Sequence, residues 1–192
     1  MLEKDPTATA PVVSAVSGSH RPARSSAEVE LLIRVQGAIA RPAMVKAARG
    51  LSHFGEHSAG WLAAGLLGAL IDKPRRREWL TASVSVVGAH AASIAVKRVV
   101  RRRRPEDPGV EVLVGTPSRL SFPSSHATST TTAAVVYSGL TGRNLVPVLV
   151  PPMLASRLVL GVHYPTDVLA GAVLGGTIGA LVRRTLSKGV TS

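Results

Sequence analysis

The stretch PSSHATSTTTAAVVYSGL, residues 123–140, joins a short polar turn to a long uncharged segment. From Ala127 to Leu140 most residues are small, hydroxylated or aliphatic, so the segment is only weakly hydrophobic. Such a composition predicts a helix that faces other helices and not lipid. This stretch decides the fold, because the rest of the chain must supply the helices that it faces.

Four further apolar segments can supply these neighbours: His57–Ile71, Glu78–Val96, Leu145–Leu160 and Thr166–Val182. With residues 127–140 they predict an all-α fold, a polytopic membrane helical bundle of about five spanning helices. The first segment is short against the roughly 20 residues that a bilayer requires, so its neighbours must extend it. Trp61, near its start, is expected at the lipid headgroups.

The N-terminal part of the chain differs from these segments. Residues 1–27 are rich in Ala, Pro, Ser and Thr, which predicts a disordered tail without the apolar core of a signal peptide. Glu28–Arg49 has apolar residues near helical spacing, interrupted by Arg34, Arg41 and Lys46, which predicts an amphipathic interfacial helix or a sixth helix, kinked at Pro42. Residues 28–188 are therefore expected to form one membrane-embedded domain.

Three glycines in the last segment, Gly171, Gly175 and Gly179, follow one another at four-residue spacing. They make a flat strip that allows another helix to approach closely. Packing inside one bundle is the simpler interpretation, and the seam of a homo-oligomer is the alternative.

The charge of the chain is strongly positive, +12 over 192 residues, while aromatic residues make up only 3%. The basic runs lie at the edges of apolar segments, which is typical of anchoring to anionic membrane lipids. A nucleic-acid binder would need basic residues interleaved with stacking aromatics in soluble segments, and those are absent from the sequence. The chain has no cysteine, which excludes disulfides and thiolate chemistry.

Polar residues stand in three clusters at the ends of the apolar segments. The clusters are Lys97 with Arg104, then Pro123-Ser-Ser-His126, then Arg157 with His163 and Asp167. In a bundle whose helices alternate in direction, all these ends lie on the same side of the membrane. Cations, hydroxyls and the N–H groups at a helix start bind phosphate, and a histidine oriented by a carboxylate can attack it. The clusters predict an anion site at a membrane surface, whereas residues 101–103 are expected in solvent or at lipid headgroups.

Each cluster also has a plainer interpretation. A serine before a helix is an ordinary N-cap, and a single histidine near a membrane interface usually serves packing. The combination favours chemistry, because Asp167 follows His163 by four residues, with Pro165 suiting the first turn of a helix, and Arg157 is close in sequence.

The spacing Lys97-x6-Arg104-Pro105, Pro123-Ser-Ser-His126 and Ser156-Arg157-x5-His163-x3-Asp167 resembles the three-part signature of the type 2 phosphatidic-acid phosphatase superfamily, which includes lipid phosphate phosphatases. The resemblance implies a phosphoric monoester hydrolase that needs neither metal nor cofactor. It implies that His163 attacks phosphorus to form a phosphohistidine, that Asp167 holds its tautomer, and that His126 protonates the leaving oxygen and later activates water. By the same resemblance the phosphoryl oxygens are held by Lys97, Arg104, Ser124, Ser125 and Arg157.

One position departs from the superfamily's usual Pro-Ser-Gly-His, because Ser125 stands in place of the glycine. The backbone N–H is retained while a side chain is added beside the phosphate. We therefore expect altered shape or selectivity and not a loss of activity.

Further ionisable residues lie near these clusters. His53, Glu56 and His57 could suggest a metal ion on one helix face, but no further ligand is evident, so no metal is expected. His57 is interpreted as an interfacial packing residue or as a contact to substrate hydroxyls. His90 lies inside an apolar segment and would support Lys97 or form a simple helix–helix hydrogen bond.

A narrower resemblance rests on residues 51–61, 97–105 and 122–132. They resemble a branch of the superfamily that removes the 5-phosphate from a ribose carried on a polyprenyl phosphate, in the synthesis of cell-wall arabinan. The implied partner is a polyprenyl phosphate lipid. A polyprenyl diphosphate phosphatase or another lipid phosphate phosphatase is the alternative within enzymes. A non-catalytic lipid-binding scaffold is the alternative of a different class, which the intact set of His126, His163 and Asp167 disfavours.

Membrane orientation does not follow from charge, because Lys and Arg occur near both sets of helix ends. The lack of a visible signal peptide and a substrate made in the cytoplasm favour a multi-pass plasma-membrane protein with its active site on the cytoplasmic face.

Overall fold

A computed structural model describes residues 26–188. This part of the chain forms seven α-helices: α1 (Ala27–Ile39), α2 (Pro42–Gly55), α3 (Ala59–Ile71), α4 (Arg76–Val100), α5 (Ser125–Thr141), α6 (Val146–Val159) and α7 (Pro165–Lys188). Between residues 26 and 188 the β structure is limited to one isolated antiparallel bridge, Arg103 with Leu120. The all-α prediction is confirmed. Of the predicted tail, residues 1–25 lie outside the described part, and Ser26 caps α1 by accepting a hydrogen bond from the Val29 N–H.

The predicted N-terminal helix is two helices. α1 ends at Ile39, and Pro42 takes the first position of α2, where its missing N–H costs no hydrogen bond. α1 buries Val29 and Leu32, which pack with Val110 of the loop that follows α4. The first helix therefore lies against the end of the bundle that carries the polar clusters.

Helix α5 is the central helix of the described bundle, as its composition predicts. Thirteen of its seventeen residues are buried, and it contacts α4, α6 and α7. Its Tyr137 packs against Trp79 of α4 with ring centroids 5.4 Å apart, and the Tyr137 hydroxyl donates to the Trp61 carbonyl. Several hydroxyl side chains of α5 have hydrogen-bond partners inside the bundle, for example Thr132, which donates to the Gly175 carbonyl at 3.0 Å.

The glycine strip of α7 packs against α5 within the same chain. A Cβ atom at Gly171 would lie 2.5 Å from the Ser124 carbonyl oxygen, and one at Gly175 would lie 2.2 Å from that of Thr128. Gly179 meets Val135 in the same way. Since the contacts advance along both helices together, α5 and α7 run parallel, and the interpretation of packing inside one bundle is confirmed.

Within residues 26–188, two stretches are long and apolar enough to cross a membrane by themselves, Lys73–Val100 and Pro165–Ser187. The remaining predicted spans correspond to α3, α5 and α6, with 13, 17 and 14 residues. Large aliphatic side chains on the long helices are exposed, among them Val84 and Val173 at 70% each. Such side chains on the outside of a bundle suit a lipid environment.

The start of the first predicted span is different from the expectation. α3 begins at Ala59, because residues 56–58 form a 3₁₀ turn in which His57 and Ser58 take left-handed φ values of 49° and 62°. Trp61 is buried and does not lie among headgroups, since its indole N–H donates to Thr130 and its ring meets Phe54 edge to face. A tryptophan with an internal hydrogen-bond partner is stable in the core.

Candidate active site

The three polar clusters meet at one end of the bundle, where α4 and α6 end and α5 and α7 begin. Backbone hydrogen bonds join them: the Ser124 N–H donates to the Asp167 carbonyl at 2.9 Å, and the Ser121 N–H donates to the Arg102 carbonyl at 2.8 Å. The contact of Gly171 with the Ser124 carbonyl brings the start of α5 directly against α7. The convergence that the sequence predicts is thus produced by the main chain.

A cavity of about 540 Å³ opens at this point. Eight of the ten predicted site residues line it: Lys97, Arg104, Ser125, His126, Arg157, His163, His57 and His90. The other two, Ser124 and Asp167, are fully buried behind its wall. Three cations, Lys97, Arg104 and Arg157, line the cavity against a single carboxylate, that of Glu56, so the cavity suits an anion.

His163 stands in the loop before α7 and is almost completely buried. Its Nε2 lies 3.2 Å from Nη1 of Arg104, and because a guanidinium only donates, Nε2 accepts and carries a lone pair. The proton therefore resides on Nδ1, which faces Oδ2 of Asp167 at 3.5 Å and has no closer partner. Burial, followed by the charges of Arg104, Lys97 and Arg157, holds the pKa of His163 well below its usual value. The imidazole is neutral, and its Nε2 lone pair lies beside Arg104 in the residue set that lines the cavity.

The two carboxylate oxygens of Asp167 have different partners. Its Oδ2 accepts from the Tyr164 N–H at 2.8 Å and so caps the start of α7, and the same oxygen faces His163. Its Oδ1 accepts from Nη1 of Arg102 at 3.1 Å, and Arg102 also pairs with Glu28 of α1. The expectation that Arg102 is solvated or at lipid headgroups is therefore wrong, although Arg101 and Arg103 are exposed.

The three predicted cations are held in different ways. Nζ of Lys97 donates to the carbonyls of Ser121, at 2.8 Å, and Pro123, which fixes it at the turn before α5. Arg104 donates to the carbonyls of Ser118 and Val162, and burial lowers its pKa to about 10, so it stays charged at neutral pH.

Arg157 is the cation with a free donor. Its Nη1 donates to the Ser52 hydroxyl at 3.1 Å and its Nε to the Ser156 hydroxyl, while Nη2 is buried without a partner. A buried donor without an acceptor is costly, and a phosphoryl oxygen in the cavity supplies the missing acceptor.

His126, the second residue of α5, lines the same cavity as His163. Its Nε2 is 3.0 Å from the Ser52 carbonyl, which only accepts, so Nε2 carries a proton and Nδ1 remains for proton exchange. Gly55 makes room for the ring, since a Cβ there would lie 2.8 Å from Cδ2 of His126. The end of α2 thus positions this histidine.

The two serines before His126 differ in role. Oγ of Ser124 accepts from the Ala127 N–H at 3.4 Å as an N-cap, so its side chain faces the helix. The hydroxyl of Ser125 lines the cavity and lies 2.7 Å from that of Ser93 on α4. The side chain that replaces the usual glycine is therefore held against α4.

His90 forms the simpler of its two predicted contacts. Its Nδ1 is 3.0 Å from the Ser58 hydroxyl, which makes a hydrogen bond between α4 and the turn before α3, and Lys97 is held by carbonyls instead. The rings of His57 and His90 lie 6.2 Å apart, and both residues line the cavity. Within residues 26–188 no three His, Asp or Glu side chains are grouped closely enough to hold a metal ion.

Sequence reasoning missed three residues of this region: Glu28, Ser52 and Arg102. Ser52 is one of many serines in the chain, and Arg102 is one of four consecutive arginines. Glu28 lies 138 positions before its partner Thr166. A search for a carboxylate able to compensate a buried Arg would have pointed to Glu28, because acidic residues number only 11 in the chain.

The chain is similar to known proteins in sequence and in fold. Residues 78–190 match the PAP2 superfamily. The chain is 56% identical over 156 residues to decaprenylphosphoryl-5-phosphoribose phosphatase of Mycobacterium tuberculosis, which covers 81% of this chain and 88% of that protein. The protein of the same name in Mycolicibacterium smegmatis is 58% identical over 145 residues, 75% of this chain and 81% of that one.

Two solved structures share the fold. The transmembrane PAP2-type phosphatidylglycerolphosphate phosphatase of Bacillus subtilis has a TM-score of 0.70 at 21% identity, over 86% of this chain and 89% of that one. Aquifex aeolicus LpxE has a TM-score of 0.66 at 21% identity, over 84% and 97%. With these similarities the membrane part of the fold prediction is confirmed as well.

Proposed function

Since the chain belongs to the PAP2 superfamily, whose members are phosphatases that work through histidine, we propose that it removes the 5-phosphate from decaprenylphosphoryl-5-phosphoribose by way of a phosphohistidine. The observation that carries the proposal is the orientation of His163. Its Nε2 lone pair lies beside Arg104 at the cavity, its Nδ1 faces Asp167, and burial keeps it neutral. These are the properties of a nucleophile toward phosphorus.

The first half of the reaction uses both histidines. Nε2 of His163 forms a bond to phosphorus while the bond from phosphorus to the ribose oxygen breaks. His126 enters this step with a second proton on Nδ1, taken up together with the anionic phosphate, and gives that proton to the ribose oxygen. The positive charge that develops on His163 is stabilised by Asp167. Arg104 and the free Nη2 of Arg157 bind the phosphoryl oxygens, whose charge they offset in the transition state.

The second half restores the enzyme. His126, now unprotonated, accepts a proton from water, and the water oxygen bonds to phosphorus as the bond to His163 breaks. Inorganic phosphate leaves, and both histidines return to their starting protonation. No step needs a metal, since the buried cations supply the positive charge.

The substrate assignment is supported by the relatives and by the shape of the cavity. Besides the phosphate-binding groups, the cavity is lined by His53, Glu56 and His57 and by Arg98. A ribose has hydroxyls for the first three, and the phosphodiester that joins it to the lipid carries a negative charge for Arg98. An apolar wall that includes Ile94 and Val114 suits the first isoprene units.

The direct test is phosphate release by the purified chain in detergent. Decaprenylphosphoryl-5-phosphoribose, decaprenyl diphosphate and phosphatidylglycerol phosphate are compared in the same detergent, with His163→Ala as the blank. We expect the highest kcat/KM for the phosphoribosyl lipid, and we expect His57→Ala to narrow the gap to the diphosphate. A higher kcat/KM for decaprenyl diphosphate would favour the alternative, a polyprenyl diphosphate phosphatase.

The place of the reaction is also part of the proposal. The substrate class belongs to cell-wall arabinan synthesis, so the protein is assigned to the plasma membrane with the cavity on the cytoplasmic face. Labelling single cysteines at Arg103 and Arg184 with a membrane-impermeant reagent in whole cells tests this. We expect the Arg184 position to react and the Arg103 position to react only after lysis.

A further inference from the structure

An ion-pair network lies directly behind the His163–Asp167 pair and outside the cavity. Arg102 donates from Nη1 to Oδ1 of Asp167 at 3.1 Å and to the Thr166 hydroxyl at 2.7 Å. Its Nη2 pairs with Oε2 of Glu28, and its guanidinium lies 4.0 Å above the centre of the Tyr164 ring. Four contacts therefore fix one guanidinium beside the buried carboxylate.

Glu28 is held as firmly as Arg102. Its Oε1 accepts from the N–H of Thr166 at 3.2 Å and from the Thr166 hydroxyl at 2.6 Å, so it sits at the positive end of α7. Burial raises the pKa of Glu28, but the hydrogen bonds from Thr166 and Arg102 outweigh this and lower the pKa below its ordinary value. The side chain is a carboxylate at neutral pH.

The geometry divides the two oxygens of Asp167 between two tasks. Arg102 occupies Oδ1, and the Tyr164 N–H fixes the direction of Oδ2, which is the oxygen that faces Nδ1 of His163. Without Arg102 the carboxylate keeps the Tyr164 N–H but loses the partner of Oδ1, so its last torsion is less restrained. Without Glu28, Arg102 loses the partner that holds it and offsets its charge.

We propose that Arg102 and Glu28 are positioning residues that lock the carboxylate of Asp167 against His163. This inference rests on the proposed role of His163 as nucleophile. Neither side chain lines the cavity, so neither contacts the substrate. Their effect must appear in the chemical step and not in binding of the lipid.

The first measurement separates kcat from KM for Arg102→Ala and Glu28→Gln. We expect Arg102→Ala to lower kcat by about 10- to 100-fold with KM within about twofold, because a misaligned catalytic group costs rate and not affinity. Glu28→Gln keeps the two contacts in which its oxygen accepts from Thr166, so its kcat should fall by only about 3- to 10-fold. Arg103→Ala is the matched control, since Arg103 is an exposed neighbour in the same run, and its kcat should stay within about twofold.

The second measurement distinguishes positioning from general loss of structure. Each substitution is repeated in the Asp167→Asn background, and single-turnover rates are followed at high enzyme concentration. If Arg102 acts through Asp167, Arg102→Ala causes little further loss there, although it costs 10- to 100-fold alone. Equal losses in both backgrounds, an unchanged kcat in Arg102→Ala, or a rise in KM alone would each overturn the inference.

Separate control variants distinguish misfolding, an error in the proposed function and an error in the positioning role. Glu28→Gln retains the shape of the side chain, so it remains informative if Arg102→Ala does not fold in detergent. If His163→Ala and Asp167→Asn leave the rate unchanged, the proposed nucleophile is wrong. If those two lose activity while Arg102→Ala and Glu28→Gln do not, only the positioning role is wrong.

Discussion

Both ends of the bundle are rich in arginine and lysine, but they use these residues differently. At the cavity end Lys97 and Arg157 are buried, at 7% and 2% exposure, and main-chain carbonyls or hydroxyls hold them. At the opposite end Arg183 and Arg184 are exposed on the last turns of α7. The first kind of cation forms a binding site, and the second suits lipid headgroups. Burial and fixed partners, and not the number of charges, distinguish the two ends.

The largest loss of activity is expected when the nucleophile at the cavity end is removed. His163→Ala should lower kcat by at least about 10⁵-fold, because the remaining groups can orient the phosphate but cannot form the covalent intermediate. Phosphate release and trapping of labelled phosphoenzyme both measure this. Near-normal turnover in a folded His163→Ala protein would show that the nucleophile is another group.

A matched pair of arginines tests the contrast between the ends directly. Arg157→Gln should lower kcat by about 10²- to 10³-fold, since it removes a fixed charge at the developing phosphoryl transition state. Arg183→Gln should change kcat by less than about twofold, because exposed substitutions away from a site have small effects. Both are assayed with the same lipid in the same detergent. Similar losses in the two variants would mean that charge acts through the surface and not through the cavity.

The acidic limb of the pH profile is the next test. The pKa of His163 lies well below 6.5, so the nucleophile stays unprotonated as pH falls through 6.5 and is lost only at lower pH. The acidic limb of kcat/KM that belongs to the free enzyme's nucleophile should therefore have its midpoint below pH 6.5. An acidic limb of kcat/KM that belongs to His163 and is centred at pH 6.5 or above would contradict the burial argument.

The contact between α5 and the glycine strip of α7 runs between the two ends of the bundle. Adding one methyl group at a glycine tests how closely the two helices pack. Gly171→Ala should lower the free energy of unfolding by about 1–3 kcal/mol, because its Cβ would lie 2.5 Å from the Ser124 carbonyl. Gly88→Ala on α4 is the control: its Cβ meets nothing within 4 Å, so stability should be unchanged or rise by up to about 1 kcal/mol. Thermal unfolding in detergent measures both. Equal shifts in the two variants would mean that this contact is looser than described.

The smallest expected effect is that of a chelator. With positive charge supplied by Arg104, Arg157 and Lys97, EDTA should change the rate by less than about 20%, whereas vanadate should inhibit as a phosphate analogue. Loss of activity in EDTA that magnesium restores would contradict the assignment of these charges.

Much of this fold can be read from the sequence, because its helices are long apolar runs bounded by Pro, Gly and charge. The spacing of the three polar clusters also predicts their meeting, since helix direction alone places alternate ends together. Arg102 could not be selected in this way. The residues around Arg102 are of the same types as those around Arg101 and Arg103, so the sequence does not distinguish the three arginines. The backbone does distinguish them: Arg101 is the C-cap of α4, with a left-handed φ of 55°, and Arg102, the next residue, faces α7.

The error at Trp61 has a similar cause. Interfacial tryptophans and buried ones share the same position near a helix start, and only a partner in three dimensions separates them. That partner is Thr130, which lies 69 residues further on. The pairing of Glu28 with Thr166 is likewise a long-range contact between two short polar segments, and no local sequence pattern predicts it.

The close contact of α5 with α7 also limits what can move during turnover. Because the Ser124 N–H donates to the Asp167 carbonyl and the glycine strip packs closely on α5, we expect the starts of α5 and α7 to move together. The turn 56–58 and the loop 114–118 also border the cavity, and neither carries the nucleophile or His126. We therefore expect the opening for a lipid to form at these two segments, with the starts of α5 and α7 held in place.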